Sequence, residues 1–301
     1  MAALMDPAVD LSHLTPQAAR MLGATQSARF AFIERDKVIA TPGLELVLGR
    51  LQELYEHHKI LRPPNLALVG PSGIGKTHAI TAFMARRKPR HSLSGELRVP
   101  VLHVEYPPLP SPGWYAQTLA KGLGFNVPLP RSPSDRFELI IQRLETARTQ
   151  LIIVEEVNQL EAWAGAHVRE FYGLTRWLSN RSQVPMVLSG TTQVLDLIQG
   201  DIQLVRRFER LELKPWACDA DFGGFIKAYL RHVPLRLQTE LSRNLIEEVH
   251  AAGQGITDTV VKVLQRAAKR AIASGDERIL PRHVDKIAEP TATPVRRGRR
   301  K

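Results

Sequence analysis

Asn65-Leu66-Ala67-Leu68-Val69-Gly70-Pro71-Ser72-Gly73-Ile74-Gly75-Lys76-Thr77 decides the architecture of this 301-residue chain. The apolar run Leu66–Val69 ends at Gly70, and the residues from Gly70 to Thr77 fit the pattern G-x-x-x-x-G-K-[ST]. Helical sequence follows from Lys76 to about Arg87. The physics requires these residue types in this order. Glycines permit a tight backbone curl, successive N–H groups turn to one side, and a helix N-terminus adds partial positive charge. Lys76 contributes a point charge, and the Thr77 hydroxyl is placed to ligate Mg²⁺. Gly70, Pro71, Ser72, Gly73, Ile74, Gly75, Lys76 and Thr77 are therefore the expected cradle for the phosphates of a nucleoside triphosphate.

Outward from this loop, short apolar runs alternate with helical stretches. Val101–Val104, Leu151–Val154, Met186–Leu188 and a run ending at Leu213 join Leu66–Val69 as five buried strands, which predicts an α/β fold with parallel strand pairs. Before them, Thr41-Pro42 is a helix start, and Leu44, Val47, Leu48, Leu51, Leu54 and Tyr55 follow at spacings of three and four. Residues 1–41 read as two short helical pieces, with Thr15-Pro16 a second start signal, and their apolar content is thin. Residues 219–287 show helical periodicity and no strand-like run. The expected division is a helical extension over 1–41, a nucleotide-binding core over 42–216, a small all-helical domain over 217–288 and a flexible basic tail over 289–301. Pro107-Pro108-Leu109-Pro110-Ser111-Pro112 reads as a stiff loop.

A triphosphatase of this kind needs an apolar strand ending in a carboxylate that holds the magnesium water shell, and Leu151-Ile152-Ile153-Val154-Glu155-Glu156 offers one. Glu155 takes the position usually held by Asp, so with Thr77 it forms the expected Mg²⁺ site, Glu155 acting through water. Glu156 takes the position of the base that orients the attacking water. The strand Val187-Leu188-Ser189-Gly190, inserted between the two phosphate-site strands, would bring Thr191 or Thr192 near the γ-phosphate. Arg206 and Arg207, just before the last strand, are candidates for a guanidinium delivered by a neighbouring subunit, with Arg207 preferred.

Forty-one Lys and Arg against 30 Asp and Glu leave a formal charge of +11, which favours polyanionic partners, nucleic acid before anionic membrane. The surplus is concentrated. Arg296, Arg297, Arg299, Arg300 and Lys301 crowd the end of the chain, and Arg86, Arg87, Lys88 and Arg90 follow the phosphate-loop helix. Both groups are candidate nucleic-acid contacts. The one cysteine, Cys218, excludes an internal disulfide and a thiol-rich zinc site, which fits a reducing cytoplasm. The first residues, with Asp6 and Asp10, lack the pattern of a secretory signal, and no apolar run approaches the roughly 20 residues of a membrane span. The expected protein is cytoplasmic and not bound to a membrane.

Taken together, the phosphate loop, the Glu155-Glu156 strand, the Ser189-Gly190-Thr191 strand end, Arg206-Arg207-Phe208 and the following helices resemble the AAA+ ATPases over about residues 42–288. Within them the chain is most similar to the TniB-type transposition ATP-binding proteins, relatives of TnsC and more distantly of phage Mu B. That likeness rests on Glu34-Arg35, Pro64 to Gly70, Leu178-Ser179-Asn180, Arg207-Phe208-Glu209, Leu213-Lys214-Pro215-Trp216, and Gly255-Ile256 with Leu264, Ala267, Ala268, Ala271 and Ile272. The resemblance implies a three-layer αβα core with a helical lid. It also implies ATP and Mg²⁺ as cofactors, and assembly of the chain into rings or helical filaments on duplex DNA with little sequence preference. A DDE-type transposase is the implied partner, and a target-selection protein a further one. Two positions depart from the family pattern. Thr257 and Asp258 stand near Gly255 where many AAA+ lids carry an arginine, and Glu155 replaces the shorter acid, which points to slow hydrolysis. A helicase loader or replication initiator, and an ATP-binding scaffold that does not hydrolyse, are the alternative readings.

Overall fold

A computed structural model describes residues 11–58, 62–106, 112–125, 130–162, 166–200 and 202–285. The basic tail and all of the proline-rich loop except Pro112 lie outside the described residues. The chain divides into two compact units, one formed by residues 40–214 and the other by the N-terminal residues to Ile39 together with those from Pro215 onward.

The N-terminal segment of the second unit carries α1 (Pro16–Arg20), a single 3₁₀ turn and α2 (Gln26–Glu34). Thr15 and Thr25 cap the two helices, accepting from the N–H of Ala18 and Ala28 at 3.4 and 3.3 Å. The α/β unit then opens with α3 (Pro42–Tyr55), whose cap Thr41 accepts from the Leu44 N–H at 3.1 Å. Strand β1 (Asn65–Val69) leads through the glycine-rich loop into α4 (Lys76–Met84). A hairpin of two very short strands follows, β2 (Arg90–His91) and β3 (Leu97–Arg98), and then β4 (Val101–Glu105). The rest of the unit is α5 (Pro112–Gly122), α6 (Pro133–Thr146), β5 (Leu151–Glu155), α7 (Ala166–Ser182), β6 (Met186–Gly190), α8 (Gln193–Gln199), α9 (Ile202–Val205) and β7 (Phe208–Glu212).

Five strands form one sheet in the order β4-β5-β6-β1-β7, and every neighbouring pair is parallel. Alternate residues of each strand serve opposite faces. Leu66, Leu68, Leu151, Ile153 and Val187 pack with Val47, Leu51 and Leu54 of α3 and Ile80 and Phe83 of α4. Ala67, Val69, Ile152, Val154, Met186 and Leu188 pack with side chains from α5, α6, α7 and α8 on the other side. The result is the three-layer αβα arrangement that near-continuous apolar strands demand, because a parallel sheet is covered on both faces. Strand β6 lies between β1 and β5, the insertion expected from the sequence, whereas β7 is not the buried strand expected: it is an edge strand in which Phe208 is buried and Glu209 and Arg210 are exposed.

The helical unit contains α10 (Ala220–Leu230), α11 (Arg243–Gly253) and α12 (Thr257–Ala273). Its core includes Phe222, Phe225, Tyr229, Val249, Val260, Leu264 and Ala268, and also Ile33 and Ile39 from the N-terminal segment. Residues 1–41 read as an extension of their own in the sequence; in the structure Ile33 and Ile39 join this helical core, while Leu14, Ala18 and Leu22 form a small cluster of their own. Buried Arg29 explains how so few apolar residues suffice. Its guanidinium donates to the Pro234 carbonyl, at 2.6 Å from Nη2, and to both oxygens of Glu277, at 2.8 Å to Oε1. Burial works to raise the Glu277 pKa, but hydrogen bonds from Arg29 and the Arg236 N–H outweigh it and leave the carboxyl below its usual value. Thr257, at the position where a lid arginine is common, accepts from the Trp216 indole N–H at 3.0 Å and belongs to the same helical unit.

Candidate nucleotide site

The site is built where β1, β5 and β6 end. Gly70 leaves β1 at φ 157°, and a Cβ there would stand 2.5 Å from the Leu213 carbonyl, so only glycine lets the loop start this close to the segment after β7. Gly73 and Gly75, at φ 76° and 115°, complete the curl. Gly75 is the N-cap of α4 and gives it no side-chain cap, so the first-turn N–H groups have no partner within the helix. Lys76 folds back over the loop and donates from Nζ to the carbonyls of Gly70 at 2.8 Å and Pro71 at 3.0 Å. Burial lowers the Lys76 pKa, and the negative charges of Glu156 and Glu155 oppose the shift. A buried cation beside an uncapped helix start is a phosphate-sized donor set, which fits the triphosphate chain.

Thr77 and Glu155, nominated separately from the sequence, meet directly. The Thr77 hydroxyl donates to Glu155 Oε1 at 2.8 Å, and the carboxylate is buried at the end of β5. A hydroxyl and a carboxylate are hard oxygen donors, and Mg²⁺ is commonly held by one or two such groups with waters and substrate phosphates completing its shell. The residues present therefore fit Mg²⁺ as they fit the nucleotide. Among the described residues no group of three or more His, Cys, Asp or Glu side chains forms a separate metal site.

Two further residues, absent from the sequence reading, complete this end of the sheet. His103 of β4 lies 2.6 Å from Glu155 Oε2 through Nε2. The imidazole occupies one carboxylate oxygen and leaves the other turned toward Thr77, which supplies the orientation that the longer Glu155 side chain would otherwise lack. Its signal was a polar residue inside the apolar run Val101-Leu102-His103-Val104. In a His103→Ala variant, nucleotide binding without metal should be unchanged while the Mg²⁺ concentration for half-maximal effect rises about 10-fold or more, as for other partners of ligating groups. A Mg²⁺ titration of fluorescent nucleotide binding measures this, and identical curves for variant and parent would remove His103 from the metal site.

Asn158 is the second. Glu156 sits directly after β5 in the left-handed region at φ 58°, and its Oε2 is 3.5 Å from Asn158 Nδ2. The same side chain accepts the Thr191 N–H on Oδ1 at 3.3 Å. Asn158 thus spans from the candidate base to the end of β6. A Cβ on Gly190 would lie 2.6 Å from Asn158 Oδ1, so the glycine makes room for this link. The Thr191 hydroxyl itself lies 2.6 Å from Gln193 Oε1, at the start of α8.

The remaining nominated residues lie elsewhere. Arg207 places its carbonyl 3.2 Å from the Asn65 N–H, at the start of β1, whereas the phosphate loop begins at the far end of that strand. Five residues at about 3.3 Å each separate the two, about 16 Å. Arg207 donates to Asn180 on α7, while Arg206 is exposed and has no ion-pair or hydrogen-bond partner among the described residues. Arg86, Lys88 and Arg90 are likewise exposed and unpaired. Arg87 differs from its neighbours. Its guanidinium lies 3.8 Å over the Phe83 ring and 4.8 Å over that of Tyr55, and it donates to the Phe83 carbonyl at 2.7 Å. The nominated contacts Arg296, Arg297, Arg299, Arg300 and Lys301 fall outside the described residues. No helix among the described residues is long and apolar enough to cross a membrane.

Solved structures confirm the architecture. The Orc1 protein of Aeropyrum pernix, determined in complex with DNA, matches with a TM-score of 0.58 at 20% identity, over 85% of this chain and 67% of that one. Cdc6p of Pyrobaculum aerophilum matches with a TM-score of 0.57 at 15% identity, over 84% and 68% of the two chains. The RuvB Holliday junction branch migration motor of Thermotoga maritima gives 0.50 at 14% identity, over 84% and 70%. At these identities the likeness is one of fold, and the fold is that of the P-loop AAA+ proteins. No curated protein sequence matches the chain. The sequence profile described as bacterial TniB protein does, across residues 29–218, a span that runs from α2 through the whole α/β unit and every loop of the site. The chain belongs to the bacterial TniB protein family.

Proposed function

We propose that this protein is an ATP-hydrolysing regulator of DNA transposition that assembles on duplex DNA and recruits a DDE-type transposase to the insertion site, with a target-selection protein as a further partner. The observation that carries the ATP-dependent part is the Thr77–Glu155 hydrogen bond at the foot of the phosphate loop, with Glu156 as the next residue. Lys76 and the α4 N-terminus hold phosphate oxygens, Thr77 and Glu155 hold Mg²⁺, and Glu156 orients the attacking water. Mg²⁺ supplies charge neutralisation of the phosphates. Thr191 or Thr192 just after β6 senses the γ-phosphate, and the Thr191 N–H is linked to the Glu156 side chain through Asn158.

The arginines support assembly. They lie at the opposite end of β1 from the loop, so one chain does not complete its own site, and a second copy brings the guanidinium. Arg206, which has no partner among the described residues, is the residue that crosses, and Arg207 ties the segment after α9 to α7. DNA binding rests on phosphate contacts, which the +11 charge favours and which carry no sequence preference. Family membership supports the role in transposition.

Electron microscopy of the protein on duplex DNA without nucleotide, with ADP and with a slowly hydrolysed ATP analogue tests the reading. Rings or filaments on DNA with the analogue alone are expected, and Arg206→Ala should abolish them. Monomers in all three conditions would overturn the assembly model and favour a loader that depends on another protein. Assemblies that form with ATP but release no phosphate would select a scaffold without hydrolysis, a reading that the Glu155 substitution keeps in view.

A further inference from the structure

The β2–β3 hairpin, between α4 and β4, is rigid at its base and exposed at its tip. Leu97 packs against the main core, Arg98 donates to the Thr146 carbonyl at 2.7 Å, and the Val99 N–H donates to Ala147 at 3.0 Å. The turn is equally defined. The Ser92 N–H donates to the Glu96 carbonyl at 2.9 Å, the Glu96 N–H returns to Ser92 Oγ at 3.2 Å, and the Gly95 N–H donates to the Ser92 carbonyl at 3.0 Å, with Gly95 at φ 81°. This framework holds Leu93 out at 111% relative exposure, more than any other large apolar side chain described. On the stem, Arg90 stands directly opposite Arg98. Like charges in that position destabilise a hairpin. Arg98 is paired with Glu96, but Arg90 has no counter-ion among the described residues, nor have Arg86 and Lys88 just before it.

A leucine held in water and two facing arginines of which one is paired are two local costs at one element, the pattern expected where a surface is kept for a ligand. The charges call for a polyanion, and the single apolar tip on a narrow ribbon suits a base step rather than a flat surface. Proteins that bind the minor groove insert such wedges, leucine among them, between base pairs while basic residues hold the flanking phosphates. We infer that the hairpin enters the minor groove of duplex DNA with Leu93 wedged at a base step and Arg86, Lys88 and Arg90 on the phosphates, while Arg87 stays in the protein's own packing. The inference rests on the DNA-binding reading above and adds the element and the mode of contact. It also adds a consequence for the DNA, local unstacking where each subunit sits.

Two variants of the full chain separate charge from wedge, both first checked for an unchanged melting temperature. Affinity for a duplex carrying 2-aminopurine is followed from 50 to 200 mM salt with the slowly hydrolysed ATP analogue. Arg86→Ala/Lys88→Ala/Arg90→Ala should flatten the slope of log affinity against log salt by up to about 2.7. Leu93→Ser should keep the parent slope but lose the rise in 2-aminopurine fluorescence that reports unstacking, and Leu93→Met should restore it. If the parent binds and unstacks the duplex while both variants do the same, the hairpin is not the DNA contact and the inference falls, leaving DNA binding intact. If the parent binds no duplex with any nucleotide, the DNA reading itself fails. Loss of binding to phosphatidylserine vesicles with DNA binding unchanged would reassign the hairpin to a membrane and equally overturn the inference.

Discussion

In a Lys76→Ala variant, ATP binding should fall by about 10²–10⁴-fold, and assembly on DNA should be lost with it. The magnitude follows from one buried ammonium that makes charge-assisted bonds to two phosphates, each worth about 1.5–3 kcal/mol. In the structure Nζ is already desolvated and poised over the loop through the Gly70 and Pro71 carbonyls. Exchange of those two carbonyls for phosphate oxygens involves little motion of the side chain. Lys76→Arg should not rescue, because a planar fork does not fit the space of a compact ammonium held against the loop. The fold should survive, since the core on both faces of β1 does not include the Lys76 side chain. Titration with a fluorescent ATP analogue checks the result, and affinity within threefold of the parent would remove the loop from nucleotide binding altogether.

Glu156→Gln should reduce phosphate release by about 10²–10⁴-fold, the range for loss of a general base, with nucleotide affinity nearly unchanged. The amide retains the shape of the side chain and its contact with Asn158, so the variant isolates the proton-accepting role. ATP-bound assemblies should then persist on DNA for longer than those of the parent. A parent turnover that is itself slow, as Glu155 suggests, makes single-turnover phosphate release the proper measurement. Release at the parent rate would assign the base elsewhere, and Glu155→Gln is the control, because that change keeps an oxygen that accepts from the Thr77 hydroxyl but removes the negative charge, and should weaken the Mg²⁺ dependence of binding instead.

Much of the α/β unit was legible from the residues. A glycine-rich loop has strict steric requirements, and a strand buried on both faces has to be apolar throughout, so each leaves a strong local signal. Thr77 and Glu155 could be nominated for the same reason, because Mg²⁺ and phosphate chemistry permits few residue types at such positions, and the structure brings the two side chains together. What escaped depends on distance or on short length. The N-terminal helices hold the helical unit through Ile33 and Arg29, and no periodicity announces partners more than 200 residues away. The two residues of each hairpin strand are too few to show alternation. Charge runs hide a different loss. Arg87 looks like Arg86 and Lys88 in a count, yet the turn that follows α4 sets its guanidinium against two aromatic rings. Asn158 carried no signal, since polar residues are ordinary in the turn after a strand.

The union of the chain's beginning with its later part bears on how the protein is made. Arg29 and its partner Glu277 are 248 residues apart, so at about 5–20 residues per second the ribosome delivers the second about 12–50 s after the first. During that interval the α/β unit has all of its strands and can close, while α2 has emerged without the α10, α11 and α12 surfaces that bury Ile33. The helical unit is therefore completed by a docking step in which an earlier-made segment is captured by one made later. A nascent chain halted once residue 214 has left the ribosome, before α12 is exposed, should carry a finished α/β fold behind an N-terminal segment still open to proteases and chaperones.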